Sequence, residues 1–515
     1  MTRDLVIGLD CSTTAAKAVA WDPAGHAVAE GRSAFGVARP HPGWGEQDPH
    51  DWWRASSEAI AACVAGVDPA RVAALSITHQ RETFVCLDEA GQPLRPAMLW
   101  LDVRATEQVA RHGDRRVHER TGKPPNPTPA WYKLHWIAEH EPELLARTAR
   151  VVDVAGYLLT RLTGRCATSW ASADPLGVLN LATFDYDDEL LAEVGLTRAQ
   201  MPELLAPGEV LGGLVGPVAA ELGLDPDTPV VAAGGDGQCA GLGTGVTAGG
   251  RAYLNLGSGI VSGTHSPQYS FSHAYRTMTS VLAGAYVLET FMGGGTLNVA
   301  WFVEQVGPGP VDGSAQVPGA VADGHGGDLR PEQRLERAAA TVPPGADGLL
   351  CLPYWTGALT PYWDSAARGV FLGLTGTHTR AHLYRALLEG IAYEQRLLLE
   401  GSEAALAEPI TELTVLGGGS ASALWCQIIA DVIGRPVAVA AESEATSLGA
   451  GMLGAAAVGL HPDVPAAAAA MHAIARRYDP DPATAARYRA AYAVYREVYP
   501  SLRGLFPDLA ALAGP

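Results

Sequence analysis

The stretch Leu5-Val-Ile-Gly-Leu-Asp10-Cys-Ser-Thr-Thr-Ala-Ala-Lys17 decides how this chain is read. Leu5 to Leu9 is a short β-type run that ends on an acid and a cluster of small hydroxyl residues, Ser12-Thr13-Thr14. Strand character resumes at Val19-Ala-Trp21, and Asp22-Pro-Ala-Gly25 supplies a turn. The chain thus opens as strand, polar hairpin, strand, turn, strand. Asp10 at a strand end, with hydroxyls in a tight hairpin, can hold Mg2+ while hydroxyl and amide donors meet phosphate oxygens. Lys17 adds a positive charge. An ordinary hairpin with a solvated Asp and Lys is the competing reading.

Outward from this opening, Ala55 to Val64 reads as a helix, Val72 to Thr78 as a buried strand, and Phe84 to Leu87 as another. Strands and helices alternate through the first half, which indicates an α/β sheet. A second hairpin of the same style begins at Arg251-Ala-Tyr-Leu-Asn-Leu256 and turns at Gly257-Ser-Gly259, behind the linker-like Thr244 to Gly250. Two halves that open alike predict a duplicated architecture, 1–247 and 248–515, although no residue-level identity joins them. Residues 307–335, rich in Gly and Pro, are expected as a surface loop. The tail carries a helix such as Ala485 to Tyr499.

Three further elements carry candidate chemistry. Gly257-Ser258 can admit a phosphate closely and donate to it, or be a plain turn. Leu413 to Leu416 runs into Gly417-Gly418-Gly419-Ser420 and a helix over Ala421 to Ile433, which leaves free amides for a flat ring or a phosphate. Simple strand–helix packing explains such a run equally well. Val230 to Gly235 is a buried strand that delivers Asp236 among glycines that leave room for a ligand. There it could accept a hydroxyl proton as that oxygen attacks phosphorus, or cap the next helix.

Composition narrows the partners. The chain has 515 residues, 48% hydrophobic and 18% charged, enough for two or three domains with large cores. Its 36 Lys and Arg against 55 Asp and Glu give a net charge of −19, which disfavours nucleic acid and anionic lipid. A small-molecule partner is expected. Seven scattered cysteines without a Cys-x-x-Cys pair suit a reducing cytoplasm. No secretory signal is expected at the N-terminus, and Ala445 to Pro462 reads as a tightly packed Gly/Ala helix, not a membrane span.

The four elements together are the parts needed to grip a nucleotide, and here the chain resembles the FGGY family of carbohydrate kinases. The resemblance runs from Leu5 to about Gly459. It includes Gly43-Trp-Gly-Glu-Gln-Asp-Pro-His-Asp-Trp52, Tyr157-Leu-Leu-Thr-Arg-Leu-Thr-Gly164, Gly234-Gly-Asp236 and the signature from Gly417 to Gly434. It implies a two-lobed actin/hexokinase-like (ribonuclease H-like) ATPase fold with a duplicated α/β domain and an interdomain cleft. The implied enzyme uses ATP and Mg2+. By the same resemblance Asp10 helps to hold the metal, and Thr13, Thr14 and Lys17 contact nucleotide phosphates. Gly257 and Ser258 match the second phosphate motif, Gly418, Gly419 and Ser420 the adenosine motif, and Asp236 the general base. Ser12 stands where the family usually has glycine. Dimerisation follows from family analogy only.

For the substrate, Thr78-His-Gln-Arg-Glu-Thr83 resembles glycerol kinases, in which the residues matching Arg81 and Glu82 bind glycerol. Trp100, in Met98-Leu-Trp-Leu-Asp102, could stack on a carbon chain or fill the core. Against glycerol, Thr128 stands near the place of a substrate-contacting tyrosine, and Gly237 replaces a glutamine, with Gln238 one step on. The motif around Trp44 and the C-terminal signature are closer to xylulokinases. The expected acceptor is a ketopentose such as xylulose, with glycerol or another polyol as the alternative. A non-catalytic actin-like nucleotide switch is the alternative of another class; it would not need Asp236 with Arg81 and Glu82.

Overall fold

The computed structural model describes residues 3–307 and 329–512. Strand β1 (Leu5–Cys11) is buried apart from Asp10, as its apolar run requires. It pairs antiparallel with β2 (Ala15–Trp21), placing Asp10 opposite Lys17 across the hairpin. β3 (Ala27–Ala34) continues the meander. Helix α1 (Pro49–Val64) begins six residues before the apolar run that marks it in the sequence. Its first turn is polar, set by the Asp48 carboxylate accepting from the His50 amide and by Pro49 in the first turn.

β4 (Val72–His79) is wholly buried and runs parallel to β1, with Asp10 beside Thr78. β5 (Val210–Gly212) forms one edge, and β6 (Val230–Gly235) runs parallel to β4, with Gly235 beside His79. The six-stranded order is β5-β6-β4-β1-β2-β3. Three parallel neighbours therefore end at one edge, which carries Asp10, the loop from Gln80 and Asp236. Ligands in α/β sheets collect at such carboxyl ends.

The second sheet contains β7 (Arg251–Leu256), β8 (Ile260–Ser266), β9 (Arg276–Thr279), β10 (Tyr286–Met292), β11 (Glu412–Leu416), β12 (Val437–Ala440) and β13 (Ile474–Tyr478). Its order is β9-β10-β8-β7-β11-β12-β13. The run β10-β8-β7-β11-β12 repeats β3-β2-β1-β4-β6 of the first sheet, so the duplication expected from two similar openings exists in topology. The chain divides into two compact units, Met1–Tyr253 with Gly263–Glu289 and Ala440–Ile474, and Leu254–Ser262 with Thr290–Val439 and Ala475–Pro515.

In the first unit, α2 (Asp236–Gly243) follows β6 directly, and α3 (Ala445–Ala457) packs against both α2 and β1. The approach needs glycine. A Cβ on Gly8 would lie 2.1 Å from the Ser447 carbonyl oxygen, one on Gly449 1.9 Å from that of Cys239, and one on Gly243 1.9 Å from that of Ala445. The Ser447 hydroxyl donates to the Gly8 carbonyl (2.8 Å) and accepts from the Trp21 indole N–H (3.1 Å). The small-residue stretch after Ala445 is thus a helix made for close packing. Among the described residues no helix is long and apolar enough to cross a membrane.

The loop expected over 307–335 lies mostly outside the described residues, and its last part is corrected: 331–335 open a helix, Pro331–Ala340. The tail helix spans Pro482–Leu502.

Candidate active site

The first unit assembles most of the expected residues at the carboxyl edge of its sheet. Asp10 is partly exposed, but its Oδ1 is fully buried with no hydrogen-bond partner. Burial pushes its carboxyl well above the usual range, the charges of Asp236 and Glu444 push the same way, and Lys17 opposes them. An orphaned oxygen in a field of acids fits a cation, so Asp10 suits the metal role. Among the described residues no group of three potential ligands stands ready-made.

The phosphate hairpin is held from outside. Gln47, inside the Gly43–Trp52 motif, donates its amide to the Thr13 carbonyl (2.6 Å). Its carbonyl accepts from Trp52 Nε1 and Gln80 Nε2, both at 2.9 Å. That motif is therefore a clamp between the hairpin and the loop after β4. The half-buried Trp100 donates its indole N–H to the Thr13 hydroxyl (3.0 Å), and Thr14 is exposed. Lys17 is ion-paired with Glu30 (3.0 Å) and Glu444 (2.9 Å).

At the strand end, Asp236 opens α2, its carboxylate accepting from the Gly237 amide (2.7 Å) and meeting Arg81 Nε at 2.9 Å. Arg81 continues to Glu289 (Nη1–Oε2 2.8 Å). Arg276 binds Glu289 at 2.5 Å and Glu82 at 2.6 Å. The result is an alternating chain, Asp236–Arg81–Glu289–Arg276–Glu82. Its other four side chains are 0–7% exposed, whereas Asp236 keeps 39%. Desolvation raises the Asp236 pKa, Arg81 pulls it back and Glu82 adds to the rise, so the group is more basic than an ordinary aspartate.

The glycines around Asp236 do not make room for a ligand, as the sequence suggests. A Cβ on Gly235 would lie 2.4 Å from Arg81 Cγ, and one on Gly237 2.7 Å from both Arg81 Nη2 and Glu289 Oε2. The space is the slot of the Arg81 side chain, which weakens Gly237 as an argument against glycerol. Gln238 is buried: its carbonyl accepts from Arg81 (3.3 Å) and its amide donates to the Ala171 carbonyl (3.0 Å). Both ends are engaged by protein, so it supports Arg81. The Thr128 hydroxyl is likewise engaged, by Asn126 Oδ1 (2.6 Å).

The second unit brings the other two motifs together. Gly417 has a left-handed backbone (φ 83°), and a Cβ there would lie 2.4 Å from Asn255 Oδ1. A Cβ on Gly419 would lie 2.8 Å from Leu256 Cβ, so the glycine turn presses on the end of β7, directly before Gly257 and Ser258. A Cβ on Gly418 would meet nothing within 4 Å, leaving that face open. Ser258 is exposed, whereas the Ser420 hydroxyl donates to the Gly417 carbonyl (2.7 Å). The helix expected from Ala421 instead begins at Ala423, capped by Ser422, which accepts from the Trp425 amide (3.1 Å).

Glu289, Arg276, Tyr253, Glu444 and Asn255 escape the sequence reading. Arg276 and Glu289 pair across neighbouring strands, but their links to Glu82 and Arg81, like that of Glu444 to Lys17, span long sequence separations that no local motif marks.

Two sheets that share a five-strand order, each with its polar hairpin, define an ATPase of the actin/hexokinase-like fold. Within that class the chain belongs to the FGGY family of carbohydrate kinases: the family's N-terminal domain matches residues 5–243 and its C-terminal domain 252–458. A glycerol kinase from Alkalilimnicola ehrlichii is 31% identical, over 92% of this chain and 94% of that one. A xylulose kinase from Klebsiella pneumoniae is 32% identical, over 84% and 85%. The ligand-bound xylulose kinase structure from Lactobacillus acidophilus superposes with a TM-score of 0.90 at 25% identity, covering 98% and 99%. The chain is accordingly an ATP-dependent phosphotransferase that acts on a small sugar or polyol, and the nucleotide-switch alternative is set aside.

Proposed function

We propose that the chain transfers the γ-phosphoryl group of ATP to a hydroxyl of a ketopentose such as xylulose, with Asp236 as general base. The observation that carries the base assignment is the exposure pattern of the charged chain: of its five members Asp236 is by far the most exposed, at 39% against 0–7%. Arg81 fixes the rotamer of that carboxylate, and a raised pKa suits a group that takes a hydroxyl proton. Arg81 and Glu82 supply a donor and an acceptor for acceptor hydroxyls. Trp100 braces Thr13 through its indole N–H.

Asp10 would hold Mg2+, which when bound neutralises charge on the phosphate oxygens. Thr13, Thr14 and Lys17 would contact phosphates in the first unit, and Gly257 with Ser258 would do so in the second. Gly418 and Gly419 would receive adenosine, while Ser420 shapes their turn. In this reading the functional division falls near residue 247, with the acceptor and base on the first part.

The ketopentose assignment is supported by the sequence likeness around Trp44 and along Gly417–Gly434. Glycerol is the second reading, favoured by the Gln80-Arg81-Glu82-Thr83 run. A cytoplasmic location is proposed on seven cysteines that are all free thiols, and a homodimer on family analogy. Coupled ADP release with Mg·ATP against D-xylulose, L-xylulose, D- and L-ribulose, glycerol, erythritol and arabitol tests the acceptor. The expected result is turnover that depends on a ketopentose; dependence on glycerol alone would replace that assignment.

A further inference from the structure

Glu289 is the most enclosed member of the charged chain, with 0% exposure, yet it has three donors. Arg81 Nη1 reaches Oε2 at 2.8 Å, the Tyr253 hydroxyl reaches Oε2 at 3.0 Å, and Arg276 Nε reaches Oε1 at 2.5 Å. Each carboxylate oxygen is thus committed to a different arm. One arm, through Arg81, ends on Asp236. The other, through Arg276, ends on Glu82, whose left-handed backbone (φ 56°) is an uncommon conformation for a side-chain-bearing residue. Gly235 and Gly237 have no Cβ where Arg81 and Glu289 need the space, so the local backbone is fitted to this arrangement.

We propose that Glu289 is a positioning residue for phosphoryl transfer, a single buried carboxylate that orients Asp236 through Arg81 and Glu82 through Arg276. The inference rests on the site reading above. A bare counter-ion role would need only charge. The geometry instead divides the two oxygens between two guanidinium groups, whose far ends bear the groups assigned to the acceptor hydroxyls. A carboxamide in its place keeps the shape, but one of its two arms becomes an N–H donor facing a cation or a hydroxyl donor. Either Arg81 or Arg276 then loses its acceptor, and its partner carboxylate loses its fixed direction.

The test compares Glu289→Gln, Glu289→Asp and Tyr253→Phe with the parent chain. Initial rates are varied in sugar and ATP separately, with thermal unfolding as the fold control. Glu289→Gln is expected to lower kcat/KM for the sugar by about 10²-fold, the cost of an ångström-scale misplacement, with the KM for ATP within about twofold. Tyr253→Phe keeps every charge and removes one hydrogen bond, so a smaller fall in the same parameter is expected. Glu289→Asp keeps the charge but is one methylene short, and should remain impaired. A structural counter-ion would give the opposite pattern, with Glu289→Asp near normal.

The proposal is overturned if folded Glu289→Gln keeps sugar kcat/KM within twofold of the parent. Should that variant fail to fold, unchanged sugar kinetics in both Tyr253→Phe and Glu289→Asp overturn it equally. Asp236→Asn, assayed in parallel, separates the two levels: an active Asp236→Asn removes the site reading itself. An inactive Asp236→Asn beside a normal Glu289→Gln removes only the positioning role.

Discussion

At the scale of single residues the demands are sharp. Asp236→Asn keeps the size and one acceptor of the side chain but cannot take a proton; kcat should fall by about 10²–10⁴-fold, with ATP binding retained by calorimetry. Gly237→Ala drives a methyl group into the Arg81–Glu289 pair, so sugar turnover should fall although position 237 itself bears no functional group. Glu289 also makes a pH prediction. Burial alone would raise its carboxyl, but Arg276 and Arg81 outweigh that and hold it at about 2, against 4.5 for the free group. A carboxyl depressed on folding stabilises the fold above its unfolded value, and that contribution is lost as pH falls through the folded one. The stability advantage of the parent over Glu289→Gln should therefore be full above about pH 4.5 and shrink toward pH 2, as measured by urea unfolding across that range. Its size at neutral pH should be about 3–5 kcal/mol, typical of breaking a buried ion pair from one side.

At the scale of elements, the meeting of α3 with α2 and β1 is governed by missing side chains. Gly449→Ala forces the helices apart against backbone, which does not yield as a side chain does. A loss of about 1–3 kcal/mol is expected in denaturant unfolding, even though alanine is the better helix former. In the second unit, the helices Arg380–Glu403 and Pro482–Leu502 share a buried acid. Tyr354 and Tyr495 both donate to Glu394 Oε2, at 2.8 and 2.6 Å. Burial raises that carboxyl to about 7, and the two tyrosine hydrogen bonds only partly offset the rise. The sign is opposite to that of Glu289. The raised group stabilises the fold below its unfolded value, and that contribution disappears as pH climbs through about 7. Glu394→Gln should match the parent below about pH 4.5 and be the more stable of the two at pH 8, in paired thermal melts.

At the scale of the whole molecule, local pattern carried the strands and hairpins. Phe84–Leu87 and Arg251–Leu256 are bounded where their turn residues stop them, because a turn is decided by neighbours in sequence. Helix starts were less legible. The polar first turn of α1 hides its beginning, and Ser422, not the glycine run, caps the helix at Ala423. The site was half legible. Asp10, Asp236 and the two glycine turns lie in strand-to-turn junctions that sequence marks. Arg276 and Glu289 instead lie inside ordinary strands, and meet Glu82 and Arg81 from about 200 residues away. Nothing local distinguishes a strand glutamate that faces solvent from one that organises a site. The same blindness misled the reading of Gly235 and Gly237, since an empty position in sequence says nothing of which side chain fills it.

Lys17 carries a consequence of its own. Its ammonium already lies between Glu30 and Glu444, so a phosphate that takes Lys17 as a ligand does not meet a bare cation. It exchanges with a resident anion, as on an ion-exchange resin, and the apparent affinity reports the difference between two partners. Glu444 then behaves as a built-in competitor for nucleotide. Its neutralisation in Glu444→Gln should tighten ADP severalfold in equilibrium titration, a change of about 1 kcal/mol, the range of a partly exposed ion pair. Unchanged or weaker ADP binding in that variant would remove Lys17 from the phosphate contacts.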